Sequence, residues 1–467
     1  MINLAIQALS GPIDLLLGTF DLAALGYEAD EYFVSGEATS YSAVGALGSD
    51  GIWVVEPAAK APFTTRIVVV KPCDANRFNG TVIVEWVNVT SGYEIPFDWL
   101  AAHREFVREG YVYVAVSAQR VGIEGGLSRG SDAALKTVNP LRYGALSHPG
   151  DAYSYDIFSQ IGRSIRAQSA AVLGALVPDR LIAVGESQSA WYLTTYINAI
   201  DAIAREYDGF LLHSRFAPVA PLDSTSIFSE TPSPMPDATV IRADVRVPVL
   251  TVITETDLIG GLRPGFHAAR QDDTSRLRIW EISGAAHVDH YMLNVSIIDS
   301  GLLDIAALAA ACRPQKSLFG KTLEQYINFA PQHHYVFQAA IASIHRWVKS
   351  GELPPIADRL ALTAGPSPAL VLDTHGVAVA GIRTPWVDVP VARTSGAGDA
   401  SDATASMFGT GAYFDGAKLL ELYPQGQAEY VSRFEAALDR SISAGFLLAA
   451  DRVEILQLAA ACYPQTS

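Results

Sequence analysis

Short runs rich in β-branched residues recur along the chain, separated by stretches of helical length. Arg66–Lys71, Thr81–Val89, Tyr111–Ser117, Arg180–Gly185, Gly209–His213, Val247–Thr254 and Leu277–Ser283 are the clearest. Near-continuous apolar strands alternating with helices predict a parallel sheet buried on both faces. Phe97–Glu109 fits a helix closed by Gly110, and Asp156–Leu176 fits another with Pro178 just beyond. A third predicted helix, Ser189–Tyr207, follows a strand directly. Gly51–Glu56 and Arg66–Lys71 lie close together, with Pro57 and Pro62 between them. A parallel pair needs a long crossover, so this short link predicts an antiparallel pair where the sheet begins. The expected architecture is α/β, mostly parallel, with antiparallel N-terminal strands and helices on both faces.

The rhythm changes after residue 287. Residues 289–332 hold a helical run, Ile297–Cys312, and a polar, Pro-containing stretch, read together as an inserted lid. His334–Ser350 is amphipathic, stops at Gly351, and is expected to be the last helix of a core spanning residues 1–355. Residues 356–467 read as a C-terminal extension packed on that core. It begins with a β-hairpin turning at His375-Gly376. A small-residue segment, Thr394–Thr404, is expected to be mobile, and Gly416–Ala461 is helical again.

Composition narrows the functional class. The chain has 467 residues, 49% hydrophobic and 18% charged, with a formal net charge of −16. That balance excludes a disordered chain. An acidic surface without a local Lys/Arg cluster argues against nucleic acid as a partner. Cys73, Cys312 and Cys462 are too scattered for a disulfide framework or a Cys-based zinc site. No apolar stretch reaches the roughly 18 uninterrupted residues of a membrane span. The N-terminus lacks a basic region and is broken by Pro12, Asp14 and Asp21, so it does not read as a secretory signal. A cytoplasmic location is expected, unless a signal was removed before this numbering began. The sequence carries no signal of oligomeric state.

The most informative segment for chemistry is Gly185-Glu186-Ser187-Gln188-Ser189, between a strand and a helix. A serine on such a tight turn exposes its Oγ above the sheet, with a helix N-terminus beneath it. The residues two before and two after must be small. Gly185 meets this condition, and Ser189 stands where glycine is usual. Two later strands end in matching chemistry. Val247–Thr254 runs into Glu255-Thr256-Asp257, and Leu277–Ser283 runs into Gly284-Ala285-Ala286-His287. The acid and the histidine therefore each follow a successive strand, at the same sheet edge as the serine, where ligands bind in such sheets. Asp257 is the favoured acid, with Glu255 as the alternative. His287 is the favoured base, with His290 as runner-up. His148 is a lesser candidate for contact with substrate, while His103, His213, His267 and His345 read as packing residues. The spacing of His287, Asp289, His290, His333 and His334 matches no metal-ligand pattern. No metal and no cofactor are expected. The oxyanion hole calls for the backbone N–H of Gln188 and one from the loop that starts at Trp86-Val87-Asn88-Val89, with Val87 or Asn88 as donor.

The chain resembles the α/β-hydrolase superfamily, and more narrowly the bacterial alpha/beta hydrolase domain-containing group. The resemblance rests on "GYEADEYFVSGEATSY", "TTRIVVVKP", "NGTVIVEWVNV", "GYVYVAVSAQRVGI", "SHPGDAYSYDIFSQIGRSI", "GESQSA", "TETD", "RIWEISGAAHVDHY" and "GIRTPWVDVP", which together cover nearly the whole chain. It implies an α/β-hydrolase fold and a serine nucleophile, without naming a substrate. The expected activity is hydrolysis of a small-molecule carboxylic ester through an acyl-enzyme. An acyltransferase or peptidase using the same triad is the alternative, and a non-catalytic binding protein of the same fold is a further rival.

Overall fold

The computed structural model describes all residues except 1–3, 127–132, 228, 230–232, 262, 366, 399–404 and 465–467. Nine strands form the main sheet: β1 (Ala5–Leu9), β2 (Tyr27–Ala43), β3 (Val55–Pro72), β4 (Thr81–Trp86), β5 (Val112–Val116), β6 (Arg180–Glu186), β7 (Gly209–His213), β8 (Val249–Thr254) and β9 (Leu277–Ile282). Their spatial order is β1-β2-β3-β5-β4-β6-β7-β8-β9. Pairing is antiparallel from β1 through β3 to β5, then parallel from β5 to β9. The chain steps leftwards from β4 to β5 and then returns to the right of β4 with β6. A crevice therefore opens between the carboxyl ends of β4 and β6, the place where open α/β sheets bind ligands.

Alternation along the central strands divides the interior into two apolar layers. Val82, Val84, Leu181, Ala183, Phe210 and Leu212 face one layer; Ile83, Ile182, Val184 and Leu211 face the other. The first layer is closed by α2 (Ser154–Ala167) and α3 (Gln188–Thr195), through residues such as Phe158, Ile161 and Leu193. The second is closed by α1 (Phe97–Glu109) and α6 (Gln332–Ser350), through Trp99, Phe106, Phe337 and Ile341. Burial on both faces is why these strands read as continuous apolar runs. Between β8 and α6 lie α4 (Glu255–Ile259) and α5 (Ile305–Ala311).

Several elements differ from expectation. Gly51–Glu56 and Arg66–Lys71 are not partners. Residues from Val55 onward belong to β3, an 18-residue strand paired with β2. Pro57 and Pro62 stand opposite Tyr41 and Glu37, in the half of β3 that β5 does not reach, since β5 pairs only with Ile67–Val70. Proline is tolerated where a strand is bonded on one side alone. The helix expected over Asp156–Leu176 ends at Ala167, where the Gln168 side chain turns to clasp the backbone N and O of Leu4 at 3.1 Å each. The helix expected over Ser189–Tyr207 widens into a π-turn at Tyr196–Ile200 and stops at Arg205, whose φ is 59°. Within Ile297–Cys312 only α5 is helical, because Asp304 caps Ala307 N at 2.8 Å and starts the helix late.

The C-terminal part lies against the second layer. The predicted hairpin is an arch of single antiparallel bridges, Leu360 with Ala380, Leu362 with Leu370 and Leu372 with Ala378, with Gly376 at φ 74° near its tip. Thr394 is not in a mobile stretch but in β10 (Ala392–Ser395), paired with β11 (Thr410–Tyr413). Residues 399–404 of that expectation lie outside the described residues. Helices α7 (Gly416–Leu422), α8 (Gln427–Ser443) and α9 (Arg452–Ala461) follow, and Glu454 of α9 grips Arg104 of α1 at 2.6 and 2.7 Å. Among the described residues, no helix is long and apolar enough to cross a membrane.

Candidate active site

Strand β6 runs into Ser187, whose backbone is forced to φ 57° and ψ −118° before α3 begins. A non-glycine residue rarely adopts that region, and the strain marks a turn held by its surroundings. The small flanking residues are explained by distance. A Cβ on Gly185 would stand 2.9 Å from Leu193 Cδ1 and 3.0 Å from Ser189 Cβ. Ser187 N donates to His213 O at 2.8 Å, which ties the turn to the end of β7.

The three side chains expected from three strand ends converge. Ser187 Oγ lies 2.9 Å from His287 Nε2, and His287 Nδ1 lies 2.6 Å from Asp257 Oδ1. Asp257 Oδ2 in turn accepts from Thr254 N at 2.8 Å and Thr254 Oγ1 at 2.7 Å. Burial acts to raise the Asp257 carboxyl, but His287 beside it and the Thr254 bonds outweigh this and bring it below the ordinary carboxylate value. An ionised Asp257 accepts the Nδ1–H, leaving the Nε2 lone pair toward Ser187. His287 is 4% exposed, so the pair works in a sparsely hydrated setting.

Glu255 does not reach the His287 ring. Its Oε1 accepts from Gly284 N at 2.5 Å, and its Oε2 from Gly396 N at 2.7 Å and Ser395 Oγ at 3.1 Å. It is thus a tie between the histidine loop and the C-terminal part. Burial raises its carboxyl to about 7, against the pull of those bonds. The same loop is held by Thr256 Oγ1, which accepts from His287 N at 3.1 Å, and by Asn328 Nδ2, which donates to Gly284 O at 2.8 Å.

Gln188 supplies the first backbone N–H of α3, a donor without an intrahelical partner. Val87 does not fit the second oxyanion position, because its N–H donates to Val116 O at 3.3 Å. For Asn88, whose main-chain N–H is the other expected donor, the side chain bonds Glu186, through Nδ2 to the main-chain O at 3.1 Å and to Oε2 at 3.0 Å. Val89 N donates to Gln188 Oε1 at 3.4 Å, so this loop N–H is engaged as well. His290 is engaged elsewhere, with Nε2 donating to Ala311 O at 2.9 Å, and His148 Nε2 is bonded to Ala118 O at 3.0 Å.

Two features escape a reading of the sequence. Glu186, beside the serine, brings Oε1 within 3.2 Å of His287 Nε2. Behind it, Asp98 Oδ1, His213 and His333 form a buried chain, with separations of 2.8 Å to His213 Nδ1 and 2.7 Å between the two Nε2 atoms. Burial lowers His213 to about 3 and His333 well below the usual histidine value, so both rings are neutral. These residues come from elements that only the folded sheet brings together. Among the described residues, no group of three or more His, Cys, Asp or Glu is placed to hold a metal ion.

Comparison with known proteins gives the family. No curated protein matches this sequence. Solved structures match over about half of the chain. A Klebsiella pneumoniae protein described as a dienelactone hydrolase is 15% identical, covering 57% of this chain and 92% of its own, with a TM-score of 0.31. Fungal esterases of Rhizomucor miehei are 12% identical, covering 48% and 67%, with a TM-score of 0.27. A serine hydrolase without a lid from Xanthomonas campestris is 14% identical, covering 52% and 84%, with a TM-score of 0.27. The family model described as "Alpha/beta hydrolase domain" matches residues 5–457. The chain, with its mostly parallel nine-stranded sheet, belongs to the alpha/beta hydrolase domain family.

Proposed function

We propose that the protein is a serine hydrolase that cleaves carboxylic esters through an acyl-enzyme. The observation that supports this reading is the unbroken hydrogen-bond path from Ser187 Oγ through the His287 ring to Asp257. Ser187 Oγ attacks the ester carbonyl while His287 Nε2 takes its proton. His287 passes that proton to the departing alkoxide, which leaves as the alcohol. Water then attacks the acyl group and gives its proton to His287, which returns it to Ser187 Oγ as the carboxylic acid leaves. Asp257 holds the ring in the tautomer that each step needs. The N–H of Gln188, with that of Asn88 from the loop after β4, is the pair this reading assigns to the developing oxyanion.

A cleft of about 740 Å³ borders the catalytic loop through Val288 and the loop after β4 through Tyr93 and Ile95. Phe97, Met292, Leu293, Phe319 and Phe408 give it an apolar stretch, beside polar groups such as His290, Asn294 and Gln315. A carbon chain of the ester fits such a lining better than a charged group does. Residues 289–332 supply one wall, in keeping with a lid. The test is a panel of p-nitrophenyl esters of increasing acyl length, assayed with the parent and with Ser187→Ala. The parent is expected to turn over and Ser187→Ala to fall by on the order of 10³-fold or more. Equal rates in the two would remove the serine assignment.

A further inference from the structure

The carboxyl of Glu186 lies against the His287 ring, and no step above uses it. Its Oε1 is 3.2 Å from His287 Nε2, yet it is buried without a hydrogen-bond partner among the described residues. Its Oε2 is occupied, accepting from Asn88 Nδ2 at 3.0 Å. A neutral imidazole with its proton on Nδ1 offers one lone pair at Nε2. The Ser187 hydroxyl, at 2.9 Å, points to that lone pair. Oε1 therefore faces Nε2 as an acceptor with nothing to accept. This changes once the serine proton moves, because the ring is then a cation with its Nε2 edge 3.2 Å from Oε1, close enough for attraction and in need of a small turn of the ring for a hydrogen bond.

We propose that Glu186 is a positioning residue for His287, whose Oε1 stays unpaired in the resting state and draws the Nε2 edge of the imidazolium toward itself once that ion forms beside the substrate oxygen. The inference rests on the Ser187–His287–Asp257 reading. An interaction made only with the charged ring lowers the barrier without strengthening the resting state. The proton on Nε2 comes from Ser187 and goes on to the leaving alcohol; Glu186 neither gains nor loses one. Three other carboxyls face Glu186: Asp98 from α1, Asp257 beyond β8 and Glu85 from β4. Burial first, and then their charge, keeps its carboxyl protonated well above the ordinary range, against the Asn88 bond. His213, paired with Glu186 across β6 and β7, is neutral. A carboxyl kept neutral still offers oxygen lone pairs, one set to Asn88 Nδ2 and one toward His287. A neutral acceptor steadies the imidazolium without the full negative charge that would trap the proton there.

Glu186→Gln tests this. Asn88 needs an acceptor, so the amide oxygen takes the place of Oε2 and the amide nitrogen that of Oε1. A donor then stands where the parent has an acceptor. On p-nitrophenyl acetate, kcat is expected to fall about 10- to 100-fold with KM within about twofold. The acid limb of the kcat/KM profile is expected to move down by about half a pH unit or more, because the imidazolium loses a partner. Glu186→Asp, which withdraws the acceptor, moves the limb the same way by less and serves if the amide variant does not fold. A structural role would leave the limb in place. A folded Glu186→Gln with parental kcat or an unmoved limb overturns the proposal. If Ser187→Ala is inert while that limb stays put, only this inference falls; if Ser187→Ala still turns over, the triad reading falls with it.

Discussion

Thr254 and Asp257 form a reciprocal pair at the end of β8. Thr254 N and Oγ1 donate to Asp257 Oδ2, and Asp257 N donates back to Thr254 Oγ1 at 3.4 Å. This is a capping box for α4. Because Oδ2 is spent on the cap, Oδ1 alone is left for His287. The device that starts a short helix thus also sets the direction of the acid.

Thr254→Val is expected to break the cap and release the acid together. Loss of an N-cap hydroxyl costs about 1 kcal/mol, read as a lower urea midpoint. The Asp257 carboxyl lies below its ordinary value in the fold, so its contribution is present above the carboxylate range and lost as pH falls through the folded value. In the variant that value rises, and acid unfolding is expected at a higher pH than in the parent. An unchanged acid midpoint would show that Thr254 does not tune Asp257.

Glu255 gives the opposite pH signature. Burial raises its carboxyl from 4.5 to about 7. Across that interval the folded chain keeps a proton that the unfolded chain has released, so stability falls as pH rises and levels off above it. Urea midpoints of Glu255→Gln between pH 5 and pH 8 are expected to show a shallower fall than the parent's. Their absolute level is expected to be lower by about 1–3 kcal/mol, because backbone N–H groups lose an acceptor. Superimposable slopes would refute this.

Gly396 sits where a side chain has no room. A Cβ there would stand 2.5 Å from Ala285 O and from Glu255 Cβ. Gly396→Ala is expected to be destabilised by about 1–3 kcal/mol and to lose turnover through displacement of the histidine loop. Slower labelling of Ser187 by a fluorophosphonate, at unchanged far-ultraviolet dichroism, is the readout.

Leu293 lines the cleft beside the catalytic loop. If the acyl chain lies there, Leu293→Trp should lower kcat/KM for an octanoate ester about 10-fold more than for an acetate ester. Parallel losses on both esters would place the chain elsewhere.

The order of Ser187, Asp257 and His287 was legible because each follows a strand whose apolar run is plain, and the sheet brings their ends to one edge. Asp257 could not be separated from Glu255 by spacing alone, since the choice depends on which carboxylate Thr254 caps and which Gly284 and Gly396 engage. The bond between Glu186 and Asn88 joins β6 to the loop after β4, 98 residues apart. Asp98, His213 and His333 are likewise joined only through the folded sheet. The β2–β3 pairing was missed because Pro57 and Pro62 signal a break, while the strand they occupy has a free side.

The ties from Glu255 and Thr256 to Gly396 link the order of synthesis to chemical competence. A ribosome finishes the serine turn roughly two hundred residues before the segment that steadies the base emerges. A nascent or truncated chain would carry a shaped nucleophile with no settled partner. Serine reactivity would then report that the segment around Gly396 has been made and docked, as well as that the sheet has folded.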